Sequence, residues 1–215
     1  IIGMNSSGSN SVRADNVFVP AHRTCSGDWT HNTTEPAPGM ALHEDPLFCG
    51  RIYAMYHAGL VIPVIGAARA SLREYEHIIT TKKTYFPPQV PRYTVEEYQR
   101  HYGQAQALTD CAEAIIIRIG ERYMELAGRW YRTGEPFTRE DDARMYAMIQ
   151  QAAQLAMRAT TELFGAASSS AAKRGTRMQR YYRDMSVYLG HISARHDVVA
   201  AEVARLHFGL PDNLF

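Results

Sequence analysis

The chain has 215 residues, of which 46% are hydrophobic and 21% are charged, and its formal net charge is +1. This is the composition of an ordinary globular protein with one main core, so it argues against a disordered or fibrous chain and gives no reason to expect an acidic partner. The three cysteines, Cys25, Cys49 and Cys111, stand far apart without a CxxC pair, which argues against a disulfide framework or a thiolate zinc site and favours a reducing cytoplasm.

The first residues, IIGMNSSGSN, contain neither an initiator Met nor the regions of a secretory signal, so we expect the back part of a longer protein. No apolar run approaches the roughly 20 residues that span a bilayer. We therefore expect a cytoplasmic protein without a membrane partner.

Residues 1–40 have the composition of strands and loops, being rich in Ser, Asn, Thr, Gly and Pro. Within them SVRADNVFVP, residues 11–20, has the Val and Phe content of a strand, and its terminal Pro20 is typical of a sheet edge.

A helical pattern begins near Pro46. Apolar residues recur at spacings of three and four to about Thr80, with Pro63 as an expected kink. The three prolines of TYFPPQVPRY then end this helix, and Thr94 followed by Glu97 predicts a capping box that opens a second helix. That helix is expected to run to about residue 131.

Two further helices complete the pattern. Thr138 followed by Asp141 predicts the start of a third helix, which stops at Gly165. The fourth is predicted as one amphipathic helix over residues 177–197. Four long helices with short connections and small residues on their inward faces predict a four-helix bundle.

Candidate metal sites are weak. Glu74 and His77 form an ExxH pair, which di-iron bundles use, but such sites need a second copy and two further glutamates. His191 and His196 are five residues apart, too far round a helix to share zinc. We expect no metal.

The fourth predicted helix, RMQRYYRDMSVYLGHISARHD, mixes arginines with aromatic rings that could bind phosphates and bases. Because the net charge is only +1 and Asp184 lies inside the cluster, we expect no nucleic-acid partner. The loop GAASSS, residues 165–170, could bind a phosphate or a planar cofactor, although most such loops only turn the chain. An isolated imidazole such as His191 is more often structural than catalytic.

Several motifs, in order along nearly the whole chain, resemble the acyl-CoA dehydrogenase superfamily. GSNSVRADNVFVPAHR is similar to the last strand of its middle β domain, and TTKKTYF to the end of its first bundle helix. ELFGAASSS is similar to a loop that meets the cofactor of an adjacent subunit, and RYYRDMSVYLGHIS to the last helix. Within the superfamily, the chain resembles the two-component flavin-dependent monooxygenases typified by p-hydroxyphenylacetate hydroxylases.

This resemblance implies a mainly α fold. Residues 46–215 would be the C-terminal four-helix bundle, a flavin-binding and oligomerisation domain, and residues 1–45 the end of the middle β domain and a linker. The residues implied to contact the flavin, partly across the subunit boundary of a homotetramer, are Lys82, Thr84, Tyr85, Gln104, Gly165, Ala166, Ser168 and Ser169. Arg183 and Asp184 match a pair that usually forms a structural ion pair.

The resemblance also implies a catalytic residue. Many dehydrogenases of the superfamily carry a catalytic glutamate where this chain reads Gly190-His191-Ile192-Ser193, without a carboxylate. The monooxygenase branch commonly has a histidine here facing the flavin, which implies that His191 is catalytic. It would take or share the proton of a substrate hydroxyl.

The implied function is hydroxylation of a small aromatic, phenolic or natural-product substrate by reduced flavin, FMNH2 or FADH2, and O2 through a flavin C4a-hydroperoxide. The chain shows no GxGxxG fingerprint, so a separate NAD(P)H:flavin reductase is expected as a transient partner. Two alternatives stay open at this point. One is an acyl-CoA dehydrogenase-like dehydrogenase or oxidase with its base elsewhere, and the other is a non-catalytic helical oligomerisation module.

Overall fold

A computed structural model describes residues 2–8, 10–24 and 37–211, so Cys25 lies outside the described part. The described residues form the helices α1 (Pro38–His43), α2 (Ile52–Thr81), α3 (Glu96–Thr133), α4 (Arg139–Ala166), α5 (Arg177–Leu189) and α6 (His196–His207). Short 3-10 turns connect several of them. The prediction of a mainly α fold is confirmed.

The helix α4 is central, since it contacts α2, α3, α5 and α6. Two clusters of buried side chains fill the bundle along its length. One contains Trp130, Tyr146 and Ile149, and the other contains Tyr75 and Leu163. Full burial of a large apolar side chain contributes about 1.5–3 kcal/mol, so each of these residues stabilises the bundle substantially.

The fourth helix predicted over residues 177–197 is wrong as a single element. The chain leaves α5 after Leu189, makes a 3-10 turn at Ile192–Ala194, and starts α6 at His196. The interruption lies at His191, whose extended backbone (φ −74°, ψ 144°) cannot continue a helix. Two shorter helices therefore occupy the fourth position of the bundle.

One predicted helix start is confirmed and another is wrong. Thr138 Oγ1 accepts a hydrogen bond from the Asp141 N–H, and the Asp141 carboxylate accepts one from the Thr138 N–H, which is the expected capping box. The second helix instead begins at Glu96, without a side-chain cap. Thr94 lies in a preceding 3-10 turn, where its hydroxyl donates to the carbonyl of Pro91 at 2.7 Å.

The strand predicted over residues 11–20 does not form in this structure. Val12, Val17 and Phe18 are exposed, and the one β-bridge among the described residues joins Lys83 and Pro91. A strand needs a neighbour to satisfy its backbone N–H and C=O groups, and the described residues supply none for this segment. The assignment of residues 1–45 to the end of a β domain stays a prediction.

The predicted ion pair between Arg183 and Asp184 is also wrong, since the described residues contain no such contact. Consecutive residues of a helix do not face each other. Asp184 Oδ1 instead accepts a hydrogen bond from the Met4 N–H at 2.7 Å. Gly3 lies so close that an added Cβ would stand 2.4 Å from the Arg183 carbonyl oxygen. The N-terminal segment thus packs closely against α5.

The helix α2 runs without interruption through Pro63. Among the described residues it is the one helix long and apolar enough, by length and composition alone, to cross a membrane, and 39% of its most apolar window is buried inside the protein. The expectation that no apolar run is long enough is therefore wrong by this measure. The helix packs against α3, α4 and α5, and a helix in the centre of a bundle commonly has such a composition.

Candidate active site

His191 lies exposed at the start of the turn between α5 and α6. The ring Nδ1 of His191 accepts a hydrogen bond from the Ser193 N–H at 3.1 Å. The backbone N–H of His191 donates to the Tyr188 carbonyl at 2.9 Å. The imidazole is parallel to the Tyr188 ring, with 6.4 Å between the ring centroids. The side chain is therefore exposed and also held in one orientation.

A buried polar network, which was not predicted from the sequence, lies beneath this turn. The Ser193 carbonyl accepts hydrogen bonds from Gln150 Nε2 at 2.5 Å and from the Tyr146 hydroxyl at 3.2 Å. The Tyr146 hydroxyl is itself hydrogen-bonded to the Tyr53 hydroxyl. The four-residue spacing of two polar side chains on the buried face of α4 was the signal that could have indicated it.

His57 belongs to the same neighbourhood. It is buried on α2, its Nδ1–H donates to the Tyr53 carbonyl at 2.8 Å, and its ring lies 4.0 Å from that of Tyr146. Burial lowers the pKa of His57, and the nearby His191 acts in the same direction. His57 is therefore neutral at neutral pH. Burial also raises the pKa of the Tyr53 and Tyr146 hydroxyls, so both stay protonated donors.

A second buried polar group lies where α2 begins. Asp142 Oδ1 accepts a hydrogen bond from the Ala54 N–H at 3.0 Å, and Arg51 Nε donates to the Phe137 carbonyl at 2.7 Å. Burial raises the pKa of Asp142 to about 6, although this hydrogen bond and the charge of Arg51 oppose the shift. Asp142 thereby satisfies the Ala54 N–H, one of the free N–H groups of the first turn of α2, which is a structural role.

Some of the residues implied to contact flavin come together at the other end of α5. Lys82 Nζ donates to Ser170 Oγ at 2.9 Å, and the hydroxyls of Ser168 and Ser170 are 3.1 Å apart. Ser168 has a positive φ of 79°, which turns the chain sharply after α4. We call Lys82 with residues 168–170 the lysine–serine patch.

Thr84 and Tyr85 lie on the loop that follows Lys82. The Thr84 N–H donates to the Val90 carbonyl at 2.9 Å, and the Val90 N–H donates back to Thr84 Oγ1 at 3.1 Å. This closes the loop and leaves Tyr85 82% exposed at its tip, in edge contact with Phe86.

The remaining predicted residues lie on α3 and α4. Gly165 and Ala166 form the last turn of α4, and Gln104 lies exposed on α3. The hydrogen bonds of the described residues do not join Gln104 to the patch. His101 Nδ1 and Glu162 Oε1, 3.2 Å apart, tie this part of α3 to the last turns of α4.

The lysine–serine patch and His191 are separated by α5. This helix has 13 residues, which corresponds to about 20 Å along its axis. Within one chain, a single planar ring system is too short to contact both. Among the described residues, no group of three His, Cys, Asp or Glu side chains is placed to hold a metal ion.

Residues 58–196 match the family model of the acyl-CoA dehydrogenase C-terminal domain. The chain belongs to this family.

Two relatives match along nearly the whole chain. The chain is 26% identical over 211 residues to the pigment production hydroxylase of Rhodococcus sp. (strain ATCC 21145), covering 98% of this chain and 52% of that protein. It is 25% identical over 217 residues to the flavin-dependent monooxygenase, oxygenase subunit HsaA, of Rhodococcus jostii (strain RHA1), covering 98% and 54%. The chain thus spans about half the length of these relatives.

Solved structures show the same fold. XiaF from Streptomyces sp., solved in complex with FADH2 and glycerol, superposes with a TM-score of 0.84 at 22% identity, covering 99% of this chain and 52% of that one. The HsaA monooxygenase from M. tuberculosis superposes with a TM-score of 0.78 at 21% identity, covering 98% and 53%. The C-terminal helical domain of the family is therefore the fold of this chain.

Proposed function

We propose that the chain is the C-terminal part of the oxygenase component of a two-component flavin-dependent monooxygenase. Its reaction is the hydroxylation of a small aromatic, phenolic or natural-product substrate with reduced flavin and O2. The observation that carries the proposal is His191, an exposed imidazole on a capped turn where many dehydrogenases of the family have a catalytic carboxylate. The names of the two Rhodococcus relatives support the same class of reaction.

The donors of the lysine–serine patch fit the polar parts of a flavin. An ammonium group at Lys82 and hydroxyls at Ser168 and Ser169 are suited to phosphate or carbonyl oxygens, and Tyr85, three residues after Lys82, offers an exposed ring. Reduced flavin, FMNH2 or FADH2, would supply the electrons that activate O2, through the C4a-hydroperoxide expected from the family resemblance. The ammonium group would meet these oxygens as a compact point charge.

His191 forms a hydrogen bond with the substrate hydroxyl in this proposal. A hydrogen bond that favours negative charge on this oxygen makes the adjacent ring carbon a better nucleophile. Tyr188 and the buried network beneath the turn keep the imidazole in place, so little reorganisation is needed when the substrate binds.

The assembly and partners are part of the same proposal. Because about 20 Å of helix separates the patch from His191, a flavin held by the patch of one subunit would meet the His191 of another. A closed homotetramer satisfies every such site equally. A separate NAD(P)H:flavin reductase would deliver the reduced flavin, and the cytoplasm is the proposed location.

The test uses His191→Asn in the full-length protein, with His77→Asn as a control because His77 is an exposed histidine on α2. Stopped-flow spectra should show that His191→Asn still binds reduced flavin and reacts with O2, while oxygen transfer to the substrate slows by about 10²-fold or more. The control should behave as wild type. Full coupling of O2 use to hydroxylation in His191→Asn would remove His191 from the active site.

A flavin titration of the full-length protein distinguishes the alternatives. Preference for reduced flavin supports the monooxygenase, whereas tight binding of oxidised FAD would indicate a dehydrogenase or oxidase. Absence of flavin binding would indicate a helical oligomerisation module.

A further inference from the structure

The hydrogen bond within the His191 turn determines which ring nitrogen carries a proton. The Ser193 N–H donates to Nδ1 at 3.1 Å, and a nitrogen that accepts a hydrogen bond cannot hold a proton of its own. The neutral imidazole must then carry its proton on Nε2. The ring thus presents an N–H donor on its other side.

The same residue, Ser193, also anchors the turn to the bundle. Ser193 is buried, and its carbonyl oxygen accepts from both Gln150 and Tyr146, two residues of α4 that are themselves almost fully buried. A carbonyl oxygen has two lone pairs, and both are used here. Ser193 is hydrogen-bonded to the imidazole through its N–H and to α4 through its C=O. Displacement of the Ser193 carbonyl therefore also displaces the Ser193 N–H that donates to Nδ1 of His191.

We propose that Tyr146 and Gln150 are positioning residues that hold His191 as the Nε2–H tautomer, so that His191 acts as a hydrogen-bond donor. Such a donor stabilises an oxygen that carries negative charge, as in a phenolate or a substrate hydroxyl that has lost its proton. In this tautomer His191 donates a hydrogen bond to the substrate oxygen and does not remove the substrate proton, which passes to solvent when the oxygen becomes charged. The functional consequence rests on the proposed function, whereas the tautomer does not.

The tautomer can be measured without any reaction. Solid-state NMR of the full-length protein, labelled with 15N at the histidine side chains, separates protonated from unprotonated ring nitrogens. His191 is identified by the signal that disappears in His191→Gln. We expect an unprotonated Nδ1 and a protonated Nε2 in the wild type. A His191 that carries its proton on Nδ1 would overturn the proposal.

The positioning role is tested with Tyr146→Phe combined with Gln150→Met, which removes both donors to the Ser193 carbonyl. We expect this variant to show a mixture of the two His191 tautomers. The matched control is Tyr123→Phe, since the buried Tyr123 hydroxyl also donates to a backbone carbonyl at 3.2 Å, that of Leu47. The control should keep the wild-type tautomer.

Retention of the single wild-type tautomer in the double variant would remove Tyr146 and Gln150 from this role. Tyr146→Phe alone keeps the aromatic ring and removes one of the two donors. We expect this variant to show a smaller fraction of the second His191 tautomer than the double variant. A folding defect in the double variant therefore leaves the test intact.

Turnover provides an independent measurement. A glutamine at position 191 can place an amide N–H near the position of Nε2, whereas an asparagine places its amide near Nδ1. Loss of one charge-stabilising donor costs about 10²- to 10³-fold in rate, so His191→Asn should lose this much. His191→Gln should form product at least about tenfold faster than His191→Asn. Equal impairment of both would indicate proton removal by His191 and contradict the donor role.

Discussion

Polar side chains buried in the bundle differ in what they do. Gln150 and Tyr146 donate to the Ser193 carbonyl, through which we propose that they position the exposed His191. Asp142 instead satisfies the backbone N–H of Ala54 at the start of α2, and His57 packs between aromatic rings. The last two carry ionisable groups whose pKa differs between the folded and unfolded states, so both link stability to pH.

The stability contributed by Asp142 should depend on pH in the direction opposite to that of a typical carboxylate. Its pKa is raised from 3.8 to about 6 in the folded protein. Between these values the folded state holds the proton and the unfolded state does not, so the free energy of unfolding falls as pH rises. At about 1.4 kcal/mol per pKa unit, the loss is about 3 kcal/mol. Urea unfolding should therefore show that the free energy of unfolding of wild type falls by this amount, relative to that of Asp142→Asn, between about pH 4 and about pH 7.

Asparagine keeps an oxygen that can accept from the Ala54 N–H, so Asp142→Asn isolates the charge. The exposed Asp197→Asn is the control, and its pH profile should follow that of wild type. Parallel profiles for wild type and Asp142→Asn would show that Asp142 is not protonated in the folded protein near pH 5.

His57 should make the opposite contribution. Its folded-state pKa lies below the unfolded value of about 6.5, so the unfolded state binds more protons as pH falls. The free energy of unfolding should then rise with pH up to about 6.5 and be level above it. His57→Phe should remove this slope, whereas the exposed His77→Phe should keep it. A slope unchanged in His57→Phe would show that another group causes it.

The helices differ in how their first turns are satisfied. The helix α4 has a complete capping box at Thr138 and Asp141, and three acidic residues in its first turn suit the helix dipole. The helix α3 begins at Glu96 without a side-chain cap, after a 3-10 turn and a proline. Similar local sequences therefore start two helices in different ways.

This difference predicts unequal effects of two similar substitutions. Thr138→Ala removes the acceptor for the Asp141 N–H and should lower the free energy of unfolding by about 1 kcal/mol. Thr94→Ala removes only a donor to the Pro91 carbonyl at an exposed position, and the cost should stay within about 0.5 kcal/mol. Thermal or urea unfolding of both variants measures the difference. Equal costs would show that the capping box adds no stability.

At the scale of the whole molecule, the position of α5 between the two predicted parts of the active site bears on how subunits assemble. The lysine–serine patch precedes this helix and His191 follows it, and the helix itself is about 20 Å long. A site that needs both groups within reach of one ring system must combine two chains. The proposed tetramer follows from that geometry together with the family resemblance.

Complementation between subunits tests this arrangement. Lys82→Ala and His191→Asn, each in a full-length chain, should be weakly active alone. When the two chains are co-expressed, random pairing should give about one quarter of the sites an intact Lys82 from one chain and an intact His191 from another. Recovery of activity towards that fraction is the expected result. Light scattering should show four subunits, and a monomer or a lack of recovery would contradict the shared site.

The sequence by itself determined the features that depend on local pattern. Apolar spacing located the long helices, Thr138 and Asp141 marked the start of one of them, and the motif around His191 indicated the family and its candidate residue. Lys82 and Ser168 were also predicted, and the structure brings both to one patch. These features are readable because the interacting groups lie within a few residues of each other or belong to a family motif.

The tertiary structure alone decided the rest, since contacts between distant residues leave no local pattern. The Ser193 carbonyl meets side chains 43 and 47 residues earlier in the chain, and these contacts define the turn that divides the fourth helix. Asp184 finds its partner 180 residues away, at the Met4 N–H, rather than at its neighbour in the sequence. Because an unpaired buried polar group is costly, the fold favours the arrangement in which packing brings such distant donors and acceptors together.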